Sequence, residues 1–481
     1  MRQVLDLTVY SNLIQNHLNI LIRVFKSCFY TIIFYYTYYS ISMTTTSYKI
    51  TKLDNGLPVI YLEMPNTETI NISITIRVGS INEPDNVQGI SHILEHMLFK
   101  QNKKYPSKLK LYQALDELGA NYNAFTSHNV TCFYIKTHTS FYEKVVEIFS
   151  SMILEPRFNE KEYTLEKDVI IEEIRATYDE PSDVSSMTMY KHVFKGTPLE
   201  KPIAGTISSV KAVSIRDIKH HMKCFYKVDN MVLSIAGKLP HYFKSALNKS
   251  AFASLNLAPS KEIRFIPLPK EMRFKQTGPY LHIVHLAVNQ QLCLQIGFPT
   301  EEGMFHQNRF IYNLIELILA RSMSSRLFMR LREKEGLVYG VSSDISRYES
   351  CGIFTISTTF KKEHYIPVLT AILDELHLLM NHTISQTELN VWKNYNKSVT
   401  SMSNEKSGYL SQYYATQYLF YGQDHIITPT QYTELVSKIT PEQVRDVSGR
   451  LFQRTNMHIV LVGDVDKSKL KIKKHIEELL L

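Results

Sequence analysis

The chain has 481 residues, 44% apolar and 21% charged, with a net charge of +8. That length exceeds one ordinary core, so two or more domains are expected, and the composition is that of a soluble globular protein. No compact basic motif with interleaved aromatics accompanies the positive excess, which excludes a nucleic-acid partner from the expectation.

Residues 1–46 come first. No charge falls between Lys26 and Lys49, and the centre reads "CFYTIIFYYTYY" behind Arg23 and Lys26, as in a signal or signal-anchor. The strongly apolar part is about a dozen residues, short of the ~20 that span a bilayer. The stretch reads as a leader or hydrophobic segment. A non-native stretch, a membrane signal or anchor, and an organelle presequence all stay open, and membrane contact is open for this segment alone.

From Tyr48, "LPVIYLEM" and "INISITIRVG" have strand patterns. "GISHILEHMLFK" (Gly89 to Lys100) follows as a helix with an apolar stripe of Ile93, Leu94, Met97 and Leu98. His92 and His96 stand four apart on one face with Glu95 beside them, the spacing of half a metal site. Composition alone would supply roughly 0.06 chance matches per chain, so a third ligand has to decide the matter. Next come a helix ending at Gly119, paired strands in "NYNAFTSHNVTCFYIKTH", a helix in "FYEKVVEIFSSMIL", and a long charged helix that stops before Pro181.

Later segments echo earlier ones. "DNMVLSIAGKL" (Asp229 to Leu239) returns as "TNMHIVLVGDV" (Thr455 to Val465), each behind a helical stretch, and "INISITIRVGS" returns as "QLCLQIGFPTEE". Two repeated halves follow, 47–258 and 280–481, with a basic, proline-dotted linker at 259–279. Where the second half should carry the motif helix it has "HQNRFIYNLIELIL", which lacks a ligand set.

Zinc chemistry needs three protein ligands and an open position. The charged helix offers Glu162, Glu166, Glu172 and Glu173. Glu166 and Glu173 are seven apart and share a face, while Glu172 points about 100° away from Glu173. H-x-x-E-H is the inverted zinc-peptidase signature, and the chain resembles a pitrilysin-family metallopeptidase, closest to the processing-peptidase branch. The resemblance places the third ligand 76 residues beyond the motif, which is Glu173, and a second glutamate at Glu166. "VGSINE", "NAFT" and "EEIRATYDEP" agree, and "SSRLFMRLREKEGLVYGVSS" resembles the C-terminal signature with its arginine and tyrosine at Arg332 and Tyr339. "FKQN", "PLE" and Ala320 to Ser322 depart from the pattern without removing a catalytic group.

The resemblance implies an α+β fold: two homologous α/β halves, each a mostly antiparallel sheet with helices packed on one face, together enclosing a chamber. It implies one Zn²⁺ per chain on His92, His96 and Glu173, with Glu95 as general base and Glu166 orienting a ligand. Arg332 and Tyr339 would complete the site from the second half, and Asn123, Ala124 and Phe125 would bind substrate as an edge strand. The expected activity is endopeptidase cleavage of peptides or unfolded polypeptides, presequences among them. The alternative is a noncatalytic peptide-binding or scaffold subunit, and a homo- or heterodimer is open. Five scattered cysteines without a C-x-x-C pair suit a reducing intracellular compartment, cytoplasmic or mitochondrion-like.

Overall fold

The strand β3 (Thr69–Ile76) reads "TINISITI", isoleucine alternating with small polar residues. Ile70, Ile72, Ile74 and Ile76 enter the core of the first half, each contributing ~1.5–3 kcal/mol by burial. Alternation of this kind ordinarily leaves the polar face in water. Here Asn71, Ser73 and Thr75 are buried as well.

What buries them is a helix from the other half. In the computed structural model, residues 47–254, 274, 277–287, 291–465 and 469–480 are described, so the leader 1–46 and most of the linker 259–279 lie outside the described residues. Two sheets organise the described chain. The first has the order β1-β2-β6-β3-β5-β4, where β1 is Tyr48–Lys52, β2 Pro58–Glu63, β4 Asn121–Thr126, β5 Thr131–His138 and β6 Met231–Gly237. The second has the order β7-β11-β8-β10-β9, with β7 Tyr280–His285, β8 Gln291–Thr300, β9 Val338–Arg347, β10 Gly352–Lys361 and β11 His458–Gly463.

Apart from β1, which has no counterpart, the sheets match strand for strand. The β2–β6 and β7–β11 pairs are parallel, and β6–β3–β5–β4 and β11–β8–β10–β9 are antiparallel. The echoed segments are β6 and β11, and β3 and β8, so the repeat read in the sequence is a repeat of topology.

Each sheet carries its own helices on one face, as expected, and one helix from the opposite half on the other. Pro181–Val193, from the first half, lies across β8 and β11, and Ser407–Tyr421, from the second, lies across β2, β3 and β6. The second crossover helix meets the polar face of β3 with small residues of its own. Ser411 pairs its hydroxyl with Ser73 and donates to the Ser234 carbonyl at 3.3 Å. The first crossover helix closes a mixed core in which Val184, Met189 and Val193 pack with Cys293, Ile353, Val460 and Val462. Residues 49–481 accordingly form one compact unit. No helix among the described residues is long and apolar enough to cross a membrane.

Candidate metal centre

The motif helix spans Ile90–Leu98 and starts at Gly89, whose φ of 87° and contact with the Ala204 carbonyl admit no Cβ. Its first turn is capped by a side chain from outside the helix. The buried Glu83 carboxylate accepts the N–H groups of Gly89 at 2.6 Å and Ser91 at 2.8 Å, while burial pushes its pKa up to about 7. Ile93, Leu94, Met97 and Leu98 go into the core, which turns His92 and His96 toward the charged helix, Glu160–Asp179.

That helix delivers two glutamates to the histidines. Glu173 has one oxygen 3.6 Å from His92 Nε2 and the other 3.7 Å from His96 Nε2. Glu166, two turns earlier, accepts from His96 Nδ1 at 2.8 Å and pairs with the buried Lys100 ammonium at 2.5 Å. Glu172 points elsewhere and pairs with Arg175 on the helix surface.

The donor set fits a zinc ion. One ligand atom from each of His92, His96 and Glu173 lies within 4.8 Å of the other two. A tetrahedral ion with bonds of ~2.0–2.2 Å separates its ligands by ~3.3–3.6 Å, close to what the side chains present. Burial, reinforced by His96, pushes His92 down to about 4, so its ring is neutral and its lone pair available at pH 7. Burial would raise Glu166, but the bonds from His96 and Lys100 outweigh it and hold the carboxyl at about 2. An ionised Glu166 keeps the His96 proton on Nδ1 and leaves Nε2 for metal. His92 has no such brace: its Nδ1 is buried without a partner among the described residues.

Glu95 shares the helix but stands outside this set. Its carboxylate accepts from the Thr126 hydroxyl at 2.6 Å, and burial raises its pKa against the effect of that bond.

The model of the insulinase family, peptidase family M16, matches residues 58–207, and that of the M16 inactive domain matches 212–395. The chain belongs to the M16, or pitrilysin, peptidase family. An uncharacterized zinc protease of Rickettsia bellii is 29% identical over 423 residues, covering 86% of this chain and 97% of that one. One from Bacillus subtilis is 29% identical over 357 residues, covering 73% and 83%. Among solved structures, a Helicobacter pylori protease superposes with a TM-score of 0.79 at 22% identity, covering 87% and 99%. An M16-like peptidase of Alicyclobacillus acidocaldarius gives 0.76 at 20%, covering 87% and 98%. A chain of complex III2 from Candida albicans gives 0.71 at 17%, covering 87% and 96%.

Beside the centre of this M16 chain runs β4, the outermost strand of the first sheet. Asn123 and Phe125 are exposed on it and Ala124 is half-buried, so its free edge can take an added strand. Beyond β4 and Glu173 opens a cleft of about 1140 Å³, lined by Ser127 to Asn129, by Ile174, Thr177 and Tyr178, and by Arg347 and Tyr348 from the second half.

Arg332 and Tyr339 meet each other. Arg332 sits in a π-helical turn, Met329–Lys334, with its guanidinium 5.0 Å over the Tyr339 ring and 4.8 Å over Phe328. Tyr339, at the start of β9, is 83% exposed, and no hydrogen bond or ion pair joins either residue to His92, His96 or Glu173 among the described residues.

Sequence reasoning missed Lys100, Thr126 and Glu83 as site residues. Thr126 and Glu83 lie inside stretches that resemble the family, "NAFT" and "VGSINE", and Lys100 lies in "FKQN", which departs from it. Nothing in the spacing says that a lysine braces Glu166 or a threonine holds Glu95.

Proposed function

We propose that the chain is a zinc-dependent endopeptidase acting on peptides or unfolded polypeptides, presequences among them, as in the processing-peptidase branch. One observation carries the reading: three ligand atoms converge from His92, His96 and Glu173, while Glu95 on the same helix stays out of the set and is held by Thr126.

Zinc bound by these three side chains, one ion per chain, would act as a Lewis acid and lower the pKa of a bound water toward neutrality. Glu95, made less acidic by burial, takes the proton of the attacking water and returns it to the leaving amine. Thr126 fixes the carboxylate for that transfer, and Lys100 through Glu166 fixes His96. The edge of β4 takes the peptide as an extra strand, with Asn123, Ala124 and Phe125 at the contact. Arg332 and Tyr339 bind the substrate main chain and the oxyanion that develops at its carbonyl. The four cysteines among the described residues are buried free thiols, which supports a reducing compartment, and a homo- or heterodimer follows the assembly of some M16-like chains.

The test is turnover of a peptide library by the full chain, with and without chelator, alongside metal analysis. One zinc per chain and chelator-sensitive cleavage are expected. Cleavage indifferent to chelator defeats the zinc mechanism, whereas bound zinc without cleavage favours a noncatalytic peptide-binding or scaffold subunit.

A further inference from the structure

Far along β9 from Tyr339, the strand ends at Arg347, whose guanidinium is the unusual group of the second half. Its Nη1 is buried without a partner, and Arg347 forms no ion pair or side-chain hydrogen bond among the described residues. Glu316 is near enough to interact electrostatically, but its carboxylate lies 3.4 Å from Arg321 instead. Arg309 is near too, and its guanidinium is already committed to the Phe305 and His306 carbonyls. A buried cation without a partner is strongly unfavourable, and such groups ordinarily pair or bind a counter-charge.

Arg347 lines a pocket of about 490 Å³ between β9 and the helices of the second half. The pocket has two further unmet polar groups. The Tyr432 hydroxyl accepts from Asn313 at 2.9 Å and Asn396 at 3.2 Å, which leaves its own hydrogen to donate. The Asn396 Oδ1 is a buried acceptor without a donor. Two other tyrosines are spent, Tyr413 on the Ile427 carbonyl and Tyr421 on that of Met304, so their rings serve as walls together with Phe310.

A guanidinium and a hydroxyl that donate, one amide oxygen that accepts, and aromatic walls define a complementary ligand. We propose that this pocket binds an organic carboxylate that carries an N–H group and an apolar body, the chemistry of the C-terminal residue of a peptide. Arg347 and Tyr432 hold the carboxylate, Asn396 takes the N–H, and the rings enclose the side chain. Arg347 also lines the cleft beyond Glu173, but none of His92, His96 and Glu173 lines this pocket.

Titration calorimetry on the metal-stripped full chain tests it, with N-acetyl-phenylalanine, its amide and inorganic phosphate as probes. The acid should bind and the amide should bind at least tenfold more weakly. R347M should lose at least tenfold in affinity for the acid, with R347K between the two, and its melting temperature should not fall, because no native bond is removed. Acid and amide binding equally, phosphate binding as tightly as the acid, or R347M binding like wild type would each overturn the proposal. So would a lowered melting temperature in R347M, which would make Arg347 a structural residue. A short peptide ending in phenylalanine, free or amidated, separates two sources: selective binding of the free acid supports a peptide end. Binding of the single residue alone keeps the carboxylate chemistry and overturns the peptide end.

Discussion

The motif helix Ile90–Leu98 and the helix Arg309–Ala320 occupy the same station in two copies of one frame, each between a central strand and an edge hairpin. The first carries His92, Glu95 and His96 to a second helix that supplies Glu166 and Glu173. Its counterpart has no histidine and gives most of its length to packing, with Ile311, Leu314, Ile315, Ile318 and Leu319 among its buried residues. Topology is therefore not what makes a metal centre. A handful of polar side chains on two helices does that, and the frame only fixes their distance.

The sharpest way to break this comparison is to remove the base and leave the ligands. E95Q should lower turnover by ~10²–10⁴ with zinc content intact, because Glu95 is not in the ligand set. H92A should lose metal and activity together. Turnover and zinc analysis of both proteins decide it, and equal metal loss in the two would dissolve the distinction between base and ligand.

A second test asks what the other half adds. Y339F should keep full zinc occupancy and lower kcat by ~10²–10³, the usual cost of losing one oxyanion donor. Unchanged kcat would reduce the second half to a support.

The next effect is smaller and tests the brace. K100M should weaken zinc binding ~10–100-fold in a chelator competition, since Lys100 holds Glu166 and Glu166 holds His96. E172A, on the outer face of the same helix as Glu166, should leave affinity unchanged. If both variants bind zinc alike, the brace is only packing.

The smallest effect belongs to a feature of the second sheet. His192, from the first crossover helix, stacks on His282 at 3.7 Å, and His282 on His458 at 5.9 Å. Lys191 and Lys195 add positive charge beside them, and burial holds His282 and His458 at about 4. Unfolded histidine titrates near ~6.5, so between pH 6.5 and 4 the unfolded chain binds more protons. Stability is full above that window and falls as pH drops through it, by on the order of 2 kcal/mol for His458 by pH 5. H458F should show a shallower loss of urea midpoint between pH 7 and 5 than wild type. Identical losses would mean that the stack does not couple the crossover helix to acid.

Much of this was legible in the sequence, for local reasons. Helix periodicity set His92, Glu95 and His96 on one face, a two-turn interval set Glu166 and Glu173 on another, and the echo of Asp229 to Leu239 in Thr455 to Val465 revealed the repeat. The crossover helices were not legible. In "TINISITI" a serine facing water and a serine facing Ser411 look the same, because the covering helix lies more than 300 residues away. Lys100 and Arg347 were hidden for a related reason. A buried lysine and a solvated one are the same letter until the fold assigns a partner or withholds one.

The reciprocal helices also set a timetable for synthesis. Roughly 170 residues separate β6 from the helix at Ser407 that covers it, so at 5–20 residues per second the first sheet waits ~10–30 s with one face bare. Along β3 and at Ser234 that face carries Asn71, Ser73, Thr75 and Ser234, hydroxyls and an amide that water can serve in the interval, beside the apolar Ile60, Leu62 and Val232 of the flanking strands. An isoleucine face there would invite the nascent chain to stick to its neighbours on the same messenger. The alternation in β3 thus limits the apolar area that the growing chain bares, at a stage that the finished fold no longer displays.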